Sequence, residues 1–150
     1  MRHRMFSALV VCSFLLFAAP ASAAEAGVVK TVQGQVQIER AGSVSEAKVG
    51  DTLNSGDRVR VRGDGSVGIS LKDETLLSLG PNSNFVMGTF NYDPTTRNGQ
   101  VESSLLKGTL RYVTGFIGRA NPEAVKVSTP TATIGIRGTD FIVEVPDGEQ

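Results

Sequence analysis

Apolar and polar residues alternate along this chain in short runs, and the runs are broken by Gly, Asp, Asn and Pro. Helical periodicity is absent throughout, so the pattern reads as an all-β domain. Val28, Val32, Val36 and Ile38, punctuated by Gly27 and Gly34, predict one or two opening strands. Arg40 to Ala47 is small and polar and reads as a turn or loop. In V-G-D-T-L-N-S-G-D-R-V-R-V the pairs Gly50-Asp51 and Gly56-Asp57 predict tight turns, because glycine reaches φ > 0 and aspartate bonds neighbouring backbone. Val67, Ile69 and Leu71 share one face of a strand, Lys72-Asp73-Glu74 turns the chain, and Thr75 to Leu79 follows. Gly80-Pro81-Asn82-Ser83 is a further turn. Phe85–Phe90, Val101–Val113, Val125–Thr129 and Ile134–Val145 complete the series, with connections at Asp93–Gly99 and Gly115–Pro122. Short, mostly antiparallel strands of about five residues at roughly ten-residue spacing predict one domain: a sandwich, a roll or a short β-solenoid.

One stretch breaks its own alternation. In V-S-T-P-T-A-T-I-G-I-R-G-T-D-F-I-V-E-V, Ala132, Ile134 and Ile136 share one parity, and Phe141, Val143 and Val145 take the other. A one-residue phase change inverts the buried face, which predicts a bulge between Arg137 and Asp140 with Gly138 at φ > 0. The expected partner for the Arg137 guanidinium is a loop carbonyl or a carboxylate such as Asp140, so Arg137→Lys is expected to lower stability.

The N-terminus changes the compartment. Arg2, His3 and Arg4 precede the apolar run Met5–Ala19, and Pro20 and Ala21-Ser22-Ala23 follow. This is the three-part pattern of a secretory leader, residues 1–23, cleaved near Ala23. The run is shorter than the roughly 20 residues of a spanning helix, so no membrane span is expected after cleavage. A periplasmic or secreted chain, residues 24–150, is the expectation.

Cleavage also removes Cys12 and His3, the only cysteine and the only histidine. The mature chain then has no disulfide, no Ser-His-Asp or Cys-His pair and no zinc site of the usual kind, and no cofactor is expected. Loss of Arg2 and Arg4 leaves 13 basic residues against 15 acidic ones, which disfavours nucleic acid as a partner.

Among candidate sites, Arg58, Arg60 and Arg62 alternate with Val59 and Val61 and share one strand face. They read as an interaction stripe toward an anion or polysaccharide, or as a solvated face or a charged protective edge. Arg62-Gly63-Asp64 spells an adhesion tripeptide, but R-G-D-G-S is also ordinary turn chemistry. Asp51, Asp57, Asp64 and Asp73 are isolated from one another and lack calcium-loop spacing. Phe85, Phe90, Tyr92, Tyr112, Phe116 and Phe141 read as core before they read as a sugar platform.

Four segments together are diagnostic: G-D-T-L-N-S-G-D-R-V, S-V-G-I-S-L-K-D-E-T-L-L-S-L-G-P-N-S-N-F, L-L-K-G-T-L-R, and the stretch from Val127 to Phe141. They resemble the FecR domain, over roughly Gly27 to Val145. The residues that carry the resemblance are Gly50, Asp51, Gly56, Asp57, Thr129, Pro130, Gly135, Arg137, Gly138, Thr139 and Phe141, with structural and not catalytic roles. The resemblance implies an extracytoplasmic all-β module that binds a protein or an envelope polymer. In regulators of this family such a domain senses an outer-membrane transporter during metal uptake, while a cytoplasmic segment acts on a sigma factor. Here a leader stands in place of that segment, which points to a stand-alone exported domain. A carboxylate-dependent glycan-active protein is the enzymatic rival, without a local motif. Asp73-Glu74-Thr75 departs from the Asp-Gly-Ser/Thr that the family pattern has at that turn.

Overall fold

The computed structural model describes residues 23–147. The expected leader therefore lies outside the described residues, except for Ala23. Ten strands build one sheet: β1 Glu25–Arg40, β2 Ser43–Glu46, β3 Thr52–Asn54, β4 Arg58–Leu71, β5 Leu76–Leu79, β6 Asn84–Tyr92, β7 Gly99–Val113, β8 Val125–Ser128, β9 Thr133–Gly135 and β10 Asp140–Val145. A five-residue helix α1, Phe116–Ala120, and a 3₁₀ turn, Pro122–Ala124, join β7 to β8. All pairings are antiparallel except β7 with β8.

Three strands, β1, β4 and β7, run 16, 14 and 15 residues, and each is long because it bends instead of ending. β4 pairs with β1 along both its halves. Its other side meets β6 at Arg58–Arg60 and then β5 at Val67–Ser70. β7 likewise meets β6 with its first half and β5 with its second. Where the halves join in β1 and β7, the buried parity changes, whereas β4 keeps one parity from Val59 to Leu71. In β1 it passes from Val29 to Val36 and Ile38, and in β7 from Val101 and Leu105 to Leu110 and Tyr112. An extra residue at each of these two bends restores the inward direction of the apolar side chains after the strand turns.

Glycine makes two of these bends. Gly34 (φ +67°) faces β4 so closely that a Cβ there would lie 2.9 Å from the Cα of Gly65, and Gly108 (φ +92°) lies where a Cβ would overlap Ser83. Ser83 in turn stitches the two halves, accepting from the Thr109 amide at 3.0 Å through its Oγ. The resulting crease folds the sheet around one cluster, with Val36, Val59, Phe85 and Leu105 from one half and Val29, Ile69, Leu77 and Leu110 from the other. Of the expected architectures, this is a roll.

Several expectations change in detail. Arg40–Ala47 holds the expected turn, at Ala41 and Gly42, both at positive φ, but also a strand, β2, whose four residues are all exposed and so show no alternation. R-G-D-G-S is a bulge inside β4 and not a turn between strands. Gly115–Pro122 contains α1, too short to show a periodicity. The helix is held from below by Asp73, which is fully buried. Asp73 accepts from the Thr75 amide at 3.1 Å, the Thr75 hydroxyl at 2.9 Å and the Ile117 amide at 3.4 Å, while Thr75 Oγ1 accepts from the Gly115 amide.

Candidate interaction surface

The two Gly-Asp pairs do different work. Gly50 and Gly56 both have positive φ, as turns require. Asp51 accepts from the Lys48 amide at 2.8 Å and closes its turn locally. Asp57 is buried and reaches much further. Its carboxylate accepts from Arg40 Nε at 2.9 Å, from Arg40 Nη2 at 2.7 Å and from the Asn54 amide at 2.8 Å. This forked pair fastens the end of β1 to the start of β4.

Arg58, Arg60 and Arg62 do share one face of β4, opposite Glu39, Gln37 and Gln35 of β1. β4 is an interior strand, paired on both sides at Arg58–Arg60, so the stripe is not a protective edge. Arg60 pairs with Glu39 at 2.9 Å, and Lys107, on the far side of β6, pairs with Asp147 at 2.8 Å. Two of the cations of the shallow groove that Arg60, Arg62, Asn82, Asn84 and Lys107 line are thus already paired.

The stretch Thr129–Phe141 is differently built. Thr129 and Ala132 close a turn around Pro130, with the Thr129 amide donating to the Ala132 carbonyl at 2.7 Å. β9 follows, ending at Gly135, and pairs only with β8. The chain then crosses to the far half of β7. The phase change is therefore not a bulge within one strand but a passage between two strands with different partners, β9 on β8 and β10 on β7. Gly138 has φ +154° in this passage. Thr114 anchors it, donating from Oγ1 to the Gly138 carbonyl at 2.8 Å and from its amide to the Thr139 carbonyl at 2.9 Å. Phe141 then stacks on buried Tyr112 with ring centroids 5.1 Å apart.

Arg137 is exposed and has no hydrogen-bond or ion-pair partner among the described residues. The expected carboxylate is taken: Asp140 accepts from Arg111 Nε at 3.1 Å and Nη2 at 2.6 Å. That hydrogen bonding holds the Asp140 carboxyl below the usual aspartate range. The two residues are 29 apart in sequence, and only the β7–β10 register reveals the pair. Arg111 and Thr114 are the site residues that sequence reasoning missed.

Ile134, Ile136, Arg137, Phe141, Ile142 and Val143 line a 280 Å³ groove between β9 and β10. The bond from the Thr114 amide to the Thr139 carbonyl fixes which β10 groups face β7: those of Phe141, Val143 and Val145. The amides and carbonyls of Asp140, Ile142 and Glu144 point the other way, where β10 has no strand neighbour among the described residues.

The family model described as FecR protein matches residues 57–150. The chain belongs to the FecR family. No curated protein and no solved structure matches it. The matched span begins at Asp57, later than the Gly27 at which the resemblance begins, yet β1 is part of the same core through Val29, Val36 and Ile38. In this FecR domain the string from Thr129 to Phe141 lies mainly at the surface, with Ile136 buried and Thr129, Ile134 and Phe141 half-buried. The family's Asp-Gly turn survives the change to Asp73-Glu74, because Glu74 itself adopts φ +65°. Among the described residues, no helix is long and apolar enough to cross a membrane, and no three metal-ligating side chains cluster.

Proposed function

We propose that this FecR-family protein is a non-enzymatic, exported interaction module of the cell envelope, which acts by holding a protein partner. One observation carries the reading: the string from Thr129 to Phe141, which holds most of the residues on which the resemblance rests, is spent on an exposed strand edge and an adjoining groove, and little of it on the core. Surface residues that packing does not demand are those that recognition uses. Among the described residues, the first backbone group that the sheet uses is the Ala24 carbonyl, which accepts from the Ser55 amide at 2.8 Å, and processing near Ala23 would keep it.

The test is site-directed photocrosslinking in cells expressing the full chain, with the crosslinking residue at position 142 or, as a control, at exposed Val49. A discrete adduct with one envelope protein from position 142 alone, and a mature N-terminus near Ala24, is the expected result. The absence of any adduct, together with measurable hydrolysis of an envelope glycan by the purified protein, would sink the proposal.

A further inference from the structure

The edge of β10 has a definite chemistry. Its outward side chains on the solvent face are Asp140, Ile142 and Glu144, and Ile142 is 66% exposed. Its other face carries Phe141, Val143 and Val145, which continue the core. The outward amides and carbonyls of Asp140, Ile142 and Glu144 are spaced to pair with one more strand. Residues of that strand opposite Asp140, Ile142 and Glu144 would sit about 5 Å away, close enough for charge to decide the pairing.

A second copy of the chain is a poor occupant. An antiparallel pairing centred on Ile142 sets Asp140 against Glu144 of the other copy twice over, and like charges directly opposite one another repel. Registers displaced by two residues set Ile142 against a carboxylate. The two acids thus guard the edge against self-association, but they favour a strand of opposite charge. Asp140 already holds Arg111, whereas Glu144 has no ion-pair partner among the described residues.

Taking the interaction-module reading as its basis, we propose that the free edge of β10 accepts an extended segment of a partner protein in which an apolar residue is flanked at alternate positions by basic ones. The basic side chains face Asp140 and Glu144, the apolar one covers Ile142, and the intervening apolar residues extend the groove lined by Ile136, Phe141 and Val143. Backbone pairing supplies affinity and the charge pattern supplies selection.

The experiment uses the full chain and three synthetic heptapeptides. In one, lysines flank a central isoleucine at alternate positions, with valines between. In the second, glutamates replace the lysines. The third is the lysine peptide N-methylated on the groups that would face β10. Binding is read by fluorescence anisotropy, and hydrogen exchange locates it. The lysine peptide is expected to bind at least tenfold tighter than the other two and to slow exchange of the Asp140, Ile142 and Glu144 amides. Glu144→Lys should reverse the preference between lysine and glutamate peptides. Ile142→Pro, which removes an amide that β7 does not use, should abolish binding, and Ile142→Lys serves the same end if the proline disturbs the fold. Equal binding of the lysine and glutamate peptides, or protection elsewhere on the sheet, overturns the proposal. So does a concentration-dependent dimer that the lysine peptide disperses, since the edge would then belong to a second copy. If Ile142→Pro still crosslinks its envelope partner from another position, the edge assignment fails while the interaction-module reading stands.

Discussion

At the scale of single residues, three side chains have an energetic role that packing alone would misjudge. The Tyr112 ring is fully buried, but its hydroxyl, although beside Thr75, makes no hydrogen bond of good geometry among the described residues. A buried orphan donor costs free energy, so Tyr112→Phe should leave stability within about 1 kcal/mol of the parent or raise it. The substitution also carries a pH signature. Burial, opposed by the neighbouring Thr75 hydroxyl and reinforced to a smaller extent by the Asp73 charge, pushes the phenol above its ordinary pKa of 10.0. The folded state therefore holds this proton more tightly than the unfolded chain does. Stability from this group is complete below pH 10 and declines as pH rises beyond it. Thermal melts of the parent should fall more steeply than those of Tyr112→Phe above pH 10, and parallel curves would contradict the assignment. Glu74 presents the reverse case, a non-glycine residue held at φ +65°. Glu74→Gly should stabilise by about 0.5–1 kcal/mol, seen as a higher Tm, because the left-handed region strains any residue with a Cβ. Arg137→Lys should shift Tm by less than about 0.5 kcal/mol equivalent, the range for exposed sites without special contacts. A large loss would restore the hydrogen-bonded role expected from the sequence.

At the scale of elements, the decisive feature is the crease, and there the sequence is legible only in part. Gly50-Asp51, Gly56-Asp57 and Gly80–Ser83 mark turns between strands that lie where their chemistry predicts. Gly34, Gly63 and Gly108 look the same in sequence but are bulges inside long strands. Glycine reports a need for φ > 0 or close approach, and both a turn and a bulge have that need. The parity change between Ile136 and Phe141 is visible in one dimension, but its cause is a change of strand partner, which only the β7 register discloses. The same limit hides the Arg111–Asp140 pair. Gly108→Ala tests the crease directly. A Cβ there meets Ser83 and must be carried at φ +92°, so the loss should be about 2–4 kcal/mol in urea unfolding. The same substitution at Gly135, where a Cβ meets nothing within 4 Å, is the control and should cost little.

At the scale of the whole molecule, the span matched by the family model and the span that folds are different lengths of chain. The match begins at Asp57, but β1 flanks β4 from Arg58 to Leu71 and adds Ala26, Val29, Val36 and Ile38 to the core. It also brings Arg40 to the otherwise buried Asp57 carboxylate. A fragment beginning at Asp57 would leave one whole side of β4 unpaired, with Val59, Val61, Val67, Ile69 and Leu71 alternating along it. An open, apolar strand of that length seeks another chain. The buried acid would also stand without its cation, which is strongly destabilising. Residues 24–150 should therefore unfold in a single cooperative transition, followed by circular dichroism. Residues 57–150 should show no such transition and should sediment as aggregates. A folded monomer of the shorter fragment would mean that β1 is an addition to the domain and not one of its structural strands. The sheet as built, with β1 sealing one side of β4 and β10 leaving its own side free, makes the first edge necessary for folding and the second available for recognition.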